Sequence, residues 1–146
     1  MYHVLVVEAK FYEHISAKLA EGAIQALEAQ GATFERITVP GALEIPGAIR
    51  FAINKERYDG FIALGCVIRG ETSHYDIVAN ESARGLQELT RSFNVAIGNG
   101  ILTVENEAQA LERADMKKKD KGGFAANAVL QMIALKNQFT IKQKTY

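Results

Sequence analysis

The chain has 146 residues, with 17 Lys+Arg balancing 17 Asp+Glu for a formal net charge of zero. At 48% hydrophobic and 23% charged residues it has the composition of one globular domain, residues 1–146, able to bury roughly 68–70% of its unfolded surface without a disulfide or metal staple. The charge balance argues against a dedicated nucleic-acid or membrane-surface protein, and one cysteine excludes an intrachain disulfide and a four-cysteine metal site.

No apolar run approaches the ~18–20 residues of a membrane span. The opening MYHVLVVEAK has no basic segment ahead of an apolar one. The expectation is a soluble protein of the reducing cytoplasm.

The run HVLVVE, His3–Glu8, is β-branched and strand-like. Residues 13–30 follow with a helical stripe of Ile15, Leu19, Gly22, Ala23, Ala26 and Leu27, and Gly31 is a natural stop. TFERITV, Thr33–Val39, alternates as a second strand. Pro46 suits the first turn of a helix continuing over Gly47–Asn54. Gly60–Ile68 is nearly all apolar, as in a strand covered on both faces. A long helix is expected over Tyr75–Phe93, with Val78, Ser82, Gly85, Leu86, Leu89 and Phe93 inward. Val95–Ile97 and Ile101–Val104 read as a fourth strand kinked at Gly98 and Gly100. Asn106 is placed to cap a short helix through Arg113, and a last helix runs from Gly123 to Asn137.

Strand–helix alternation predicts an α/β fold, a parallel sheet flanked by helices on both faces. Ligands bind such sheets at the carboxyl ends of the strands. The segments to inspect are Ala9–Tyr12, Pro40–Ile45, Arg69–His74 and the region of Asn99. The final helix, FAANAVLQMIAL, is apolar nearly all round and predicts cover from a neighbouring subunit.

His74, in GETSHYD at the expected ligand edge, suits proton transfer; a plain loop histidine is the alternative. Arg69–Ser73 feeds a helix start and suits an anion. Arg113 and the run Lys117–Lys121 form a basic patch, either a solvated loop or a phosphate clamp. Phe11 is either a core residue or a stacking platform, and Glu44 either a helix-start carboxylate or a hydroxyl acceptor. Cys66 reads as a small core residue. Neither a P-loop nor a dinucleotide fingerprint is present.

VPGALEIP, ALGCVIRGETSHYDIVANESARGL, NGILTVENEAQALERA and KGGFAANA, in that order, resemble the 6,7-dimethyl-8-ribityllumazine synthase family. The resemblance implies a three-layer, flavodoxin-like sandwich with a four-stranded parallel sheet. It implies condensation of 5-amino-6-(D-ribitylamino)uracil with 3,4-dihydroxy-2-butanone 4-phosphate, the penultimate step of riboflavin biosynthesis, with no metal or redox cofactor. Phe11 would then stack on the pyrimidine, and Ala42, Leu43 and Glu44 would line the ribityl and ring site. Cys66, Val67 and Ile68 would offer backbone groups to the uracil edge. Glu71 and Thr72 would hold the phosphate ester, His74 would carry protons, and Arg113 with Lys121 would clamp the phosphate from a neighbouring subunit. Asn99 stands where the family often has an aromatic ring contact, and Phe124 where it often has an acid. DMKKKDK lacks the glycine turn of shell-forming relatives, and the chain starts almost at its first strand. Both favour a homopentamer over a sixty-subunit shell, with riboflavin synthase a possible partner. Three other readings are a non-catalytic flavin or lumazine carrier, a shell-forming structural subunit, and a flavodoxin-type electron carrier. The last is disfavoured because the first loop, Glu8–Glu13, lacks the hydroxyl-rich phosphate cradle such a protein needs.

Overall fold

The computed structural model describes residues 1–140. Four strands, β1 (His3–Ala9), β2 (Thr33–Val39), β3 (Gly60–Ile68) and β4 (Ala96–Val104), form one sheet in the order β2-β1-β3-β4. Every pairing is parallel; Val4 of β1 stands beside Gly60 of β3, and Gly60 beside Ala96 of β4. The helices are α1 (Glu13–Ala29), α2 (Ile45–Ile53), α3 (His74–Phe93), α4 (Glu107–Ala114) and α5 (Lys121–Gln138), with a 3₁₀ turn at Ala42–Glu44. The predicted α/β fold with a four-stranded parallel sheet between helical layers is present.

The alternation of the strands divides the core in two. Val4, Val6, Ile62 and Leu64 meet Ile15 and Leu19 of α1, Ala110 of α4 and Val129 of α5 on one face. Leu5, Val7, Phe61 and Ala63 meet Ile45 and Ile49 of α2 and Leu86 and Leu89 of α3 on the other. Glu8 falls on the α1/α5 face and is only 7% exposed. Arg36, on the same face of β2, donates to it from Nε at 2.7 Å and from Nη2 at 2.8 Å. Such a two-pronged, charge-assisted pair makes a carboxylate tolerable there.

The helix ends follow local chemistry. Gly31 takes φ +74 just past α1. Asn106 caps α4, its side chain accepting from Gln109 N–H at 2.9 Å. Asp120, in the left-handed region at φ 46, accepts from Gly123 N–H and starts α5 at Lys121. The last helix therefore begins two residues before the sequence expectation, and Lys121 lies in its first turn. Gly122, Gly123, Ala125, Ala126, Val129, Leu130 and Ile133 of α5 are buried. Its outer side keeps Phe124 (66% exposed) and Met132, so only one side of this apolar helix is covered.

The expected kink in the fourth strand is absent. β4 pairs with β3 without interruption from Gly60↔Ala96 to Ile68↔Val104. Gly98 and Gly100 serve close packing: a Cβ at Gly98 would strike the Ala125 carbonyl oxygen of α5, and one at Gly100 would press on Leu64. Phe93, expected inward, is 41% exposed and lies beneath the Arg50 guanidinium, 4.2 Å from its ring centroid. Cys66 is buried as expected, and burial, helped by the charge of Glu107, pushes its thiol up to about 12.

Two outcomes follow from this packing. Gly98→Ala forces α5 off the sheet and should lower stability by about 3 kcal/mol or more, read by urea denaturation; a variant as stable as the wild type would contradict the close approach. At pH 8 Cys66 in the folded protein should react with iodoacetamide about 10³-fold more slowly than in the denatured chain, because its thiolate is suppressed. Since the folded thiol titrates higher than the unfolded one, its contribution to stability is complete below the unfolded value and is lost as pH rises toward about 12.

Candidate functional site

α1 leaves β1 toward one face of the sheet, whereas α3 leaves β3 toward the other. β1 and β3 are neighbours, so their outgoing loops diverge and open a crevice at the carboxyl edge. A cavity of about 480 Å³ occupies this point. It is walled by the turn after β1, the 3₁₀ turn after β2, the last residues of β3 and the start of α3.

Phe11 stands in the turn after β1, which is anchored where Lys10 N–H donates to Val39 O at 2.8 Å. The ring is 74% exposed and rests edge-on against Tyr12, with centroids 4.8 Å apart. This excludes the core reading and leaves a free aromatic face at the cavity mouth. Ala42, Leu43 and Glu44 form the 3₁₀ turn between β2 and α2, with Ala42 buried and Leu43 and Glu44 exposed. Pro46 in the first turn of α2 fixes where that turn ends. Cys66, Val67 and Ile68 form the cavity floor at the end of β3.

Beyond β3, the exposed loop of residues 69–73 brings Gly70 and Thr72 to the wall. His74 opens α3 and is exposed to the cavity; its main-chain N–H donates to Thr72 Oγ1 at 3.2 Å. The lining thus combines apolar surface and a free aromatic ring with an exposed carboxylate, a hydroxyl and an imidazole. Among the described residues it contains neither Lys nor Arg. Among the described residues no three His, Cys, Asp or Glu side chains converge as a metal would require, and no helix is long and apolar enough to cross a membrane.

Of the residues singled out from the sequence, Phe11, Ala42, Leu43, Glu44, Cys66, Val67, Ile68, Thr72 and His74 line this cavity together. Glu71 lies in the same loop but not on the wall. Asn99 is mid-strand in β4, opposite Ala63, with its Oδ1 accepting from Ile101 N–H at 2.9 Å. It is therefore not in the loop at the carboxyl edge where the broken-strand reading put it; the connection after β4 begins at Glu105. Arg113 is at the end of α4, its Nη1 donating to Gln109 O at 3.2 Å. Lys121 lies on α5 with Nζ 5.0 Å from the Phe124 centroid. Neither lines the cavity. The wall also holds Tyr12, Pro40 and Gly41, inside the segments chosen from the sequence, and Tyr75 and Val78, outside them. The two tyrosines adjoin residues that were chosen, but their side-chain directions depend on packing.

Comparison with known proteins accords with this geometry. The family model described as 6,7-dimethyl-8-ribityllumazine synthase matches residues 1–137. A protein of that name from Bartonella tribocorum is 64% identical over 138 residues, 94% of this chain and 91% of the relative. One from Sphingopyxis alaskensis is 59% identical over 141 residues, 97% of this chain and 99% of the relative. A 6,7-dimethyl-8-ribityllumazine synthase 1 from Rhizobium meliloti is 57% identical over 141 residues, covering 93% of this chain and 92% of its own length. A solved structure described as a lipoprotein fragment from Peptoclostridium difficile 630 superposes with a TM-score of 0.53 at 12% identity, over 91% of this chain and 99% of that one; this is a likeness of fold alone. The chain belongs to the 6,7-dimethyl-8-ribityllumazine synthase family.

Proposed function

We propose that this cavity is where the chain condenses 5-amino-6-(D-ribitylamino)uracil with 3,4-dihydroxy-2-butanone 4-phosphate, giving 6,7-dimethyl-8-ribityllumazine, phosphate and water. Family membership supports the reaction. The observation that carries the assignment of the site is the meeting of exposed Phe11, Glu44, Thr72 and His74 around one cavity at the β1/β3 crevice.

The uracil amine attacks the ketone, the carbinolamine loses water, phosphate is eliminated, and the ribitylamino nitrogen closes the ring with loss of a second water. Phe11 stacks on the flat pyrimidine, while backbone groups of Cys66–Ile68 meet its polar edge. Glu44 accepts from ribityl hydroxyls. Thr72 and the backbone beside Glu71 hold the phosphate ester. His74 passes protons as carbinolamine forms and collapses.

A phosphate ester is best gripped by cations, and among the described residues the cavity wall has neither Lys nor Arg. Arg113 and Lys121 belong to α4 and α5, away from this chain's own cavity. A neighbouring copy supplies them, and Asn99 with them, in a homopentamer whose sites lie between subunits. The exposed Phe51 (77%) and Phe124 (66%) support such an assembly, since isolated domains rarely leave so much aromatic surface in water. The enzyme works in the cytoplasm, and its product is passed to riboflavin synthase.

Positioning two reactants is worth up to ~7–11 kcal/mol, whereas a single acid–base group adds ~10²–10⁴-fold. His74→Ala should therefore slow lumazine formation, followed by product fluorescence, yet leave turnover measurable; unchanged kcat would remove His74 from the chemistry. Arg113→Ala deletes a charge-assisted grip and should raise KM for the butanone phosphate about 10- to 100-fold with a smaller change for the uracil. Wild-type use of the phosphorylated ketone by that variant would show the phosphate assignment to be wrong.

A further inference from the structure

His74 begins α3 at the end of an exposed loop, and Ser73 before it makes no side-chain capping bond. The one side-chain acceptor on this turn is Thr72 Oγ1, 3.2 Å from the His74 N–H, and a first turn held so lightly on a glycine-containing loop is prone to fray. Something else must keep the imidazole in place if it is to carry protons on a fixed path.

Arg69 is the residue built to do so. It follows β3 directly, and its main-chain N–H donates to Val104 O at 2.9 Å, so its root is part of the sheet ladder. Its guanidinium reaches in two directions. Nε donates to Glu105 Oε2 at 2.6 Å, just beyond β4. Toward α3, Cζ lies 4.2 Å from the Tyr75 ring centroid, and Nη1 is 3.6 Å from Asp76 Oδ1. Tyr75 and Asp76 immediately follow His74, and Tyr75 also forms part of the cavity wall.

We propose that Arg69 is a positioning residue for His74, bracing the first turn of α3 against the ends of β3 and β4 through Glu105, Tyr75 and Asp76. This rests on the reading of His74 as the proton carrier. Arg69 touches no reacting group and acts through its neighbours. A planar guanidinium can stack on a ring while its edge pairs with carboxylates, whereas an ammonium supplies only a point charge. The Arg69 side chain is 45% exposed and its two carboxylate partners more so, so these contacts contribute little to global stability. What they restrict is the freedom of one helical turn.

The test compares the wild type with Arg69→Met, Arg69→Lys, His74→Ala and the His74→Ala/Arg69→Met double variant. Arg69→Met should lower kcat about 10-fold while retaining a near-wild-type melting temperature. In the His74→Ala background the same change should cost less than about 2-fold, because the group being positioned is gone. Arg69→Lys should recover part of the rate, since it pairs but does not stack. In hydrogen exchange, the Asp76 and Ile77 amides, which donate to Ser73 O at 3.0 and 3.3 Å, should open about 10-fold faster in Arg69→Met. An equal loss of kcat in both backgrounds, or unchanged exchange at those amides, overturns the brace. If His74→Ala itself leaves kcat untouched, the reading of the active histidine fails, and the exchange measurement alone decides whether Arg69 holds the turn.

Discussion

The central constraint is the parallel pairing of β1 with β3, two strands whose helices depart to opposite faces of the sheet. Right-handed crossovers make the two outgoing loops part company at one point of the carboxyl edge. Phe11 is carried by the first loop and His74 by the other, and the final residues of β3 lie between them as a floor. β2, on the far side of β1, ends in the 3₁₀ turn that contributes Glu44. Residues more than sixty positions apart in sequence therefore share a wall because two strands pair.

The faces of the sheet are finished differently. On the α1/α5 side the packing depends on missing side chains: Gly98 admits the Ala125 carbonyl, and Gly122 admits that of Leu19. On the other side α2 and α3 cover β1 and β3, leaving the outward residues of β4 only partly shielded, with Ile97 and Ile101 half-buried and Asn99 and Thr103 exposed. A strand sealed on one face and open on the other is suited to meet a second copy.

The connection from β4 to α4 contributes nothing to the cavity wall, yet it ties the loops that do. Glu105 holds Arg69 after β3, and Glu107, at the start of α4, accepts from His14 Nε2 of α1 at 2.6 Å. The connection is itself pinned by Asn106 on Gln109 N–H and by Gln109 Oε1 on Glu105 N–H at 2.8 Å. Arg69, which in sequence falls between the wall residues Ile68 and Gly70, is thus committed to carboxylates and an aromatic ring. A phosphate grip needs a different cation, which agrees with assigning that role to Arg113 of a neighbour.

Apolar spacing together with end residues such as Gly31, Pro46 and Asn106 located the four strands and five helices of the described residues within a few residues, because both are local signals. They also directed attention to the edge where Phe11, Glu44, Thr72 and His74 gather. Two errors had one source. The glycines in β4 suggest a kinked strand, but they make room for a helix that arrives from distant sequence, so the strand runs through and Asn99 falls mid-strand. The inward direction expected for Phe93 likewise gave way to a stack under Arg50 of α2. Chain pattern thus determined which elements form and in what order they alternate. Only tertiary packing decided which side chains meet, because proximity between separate elements depends on strand order and helix approach, neither of which any local window of residues contains.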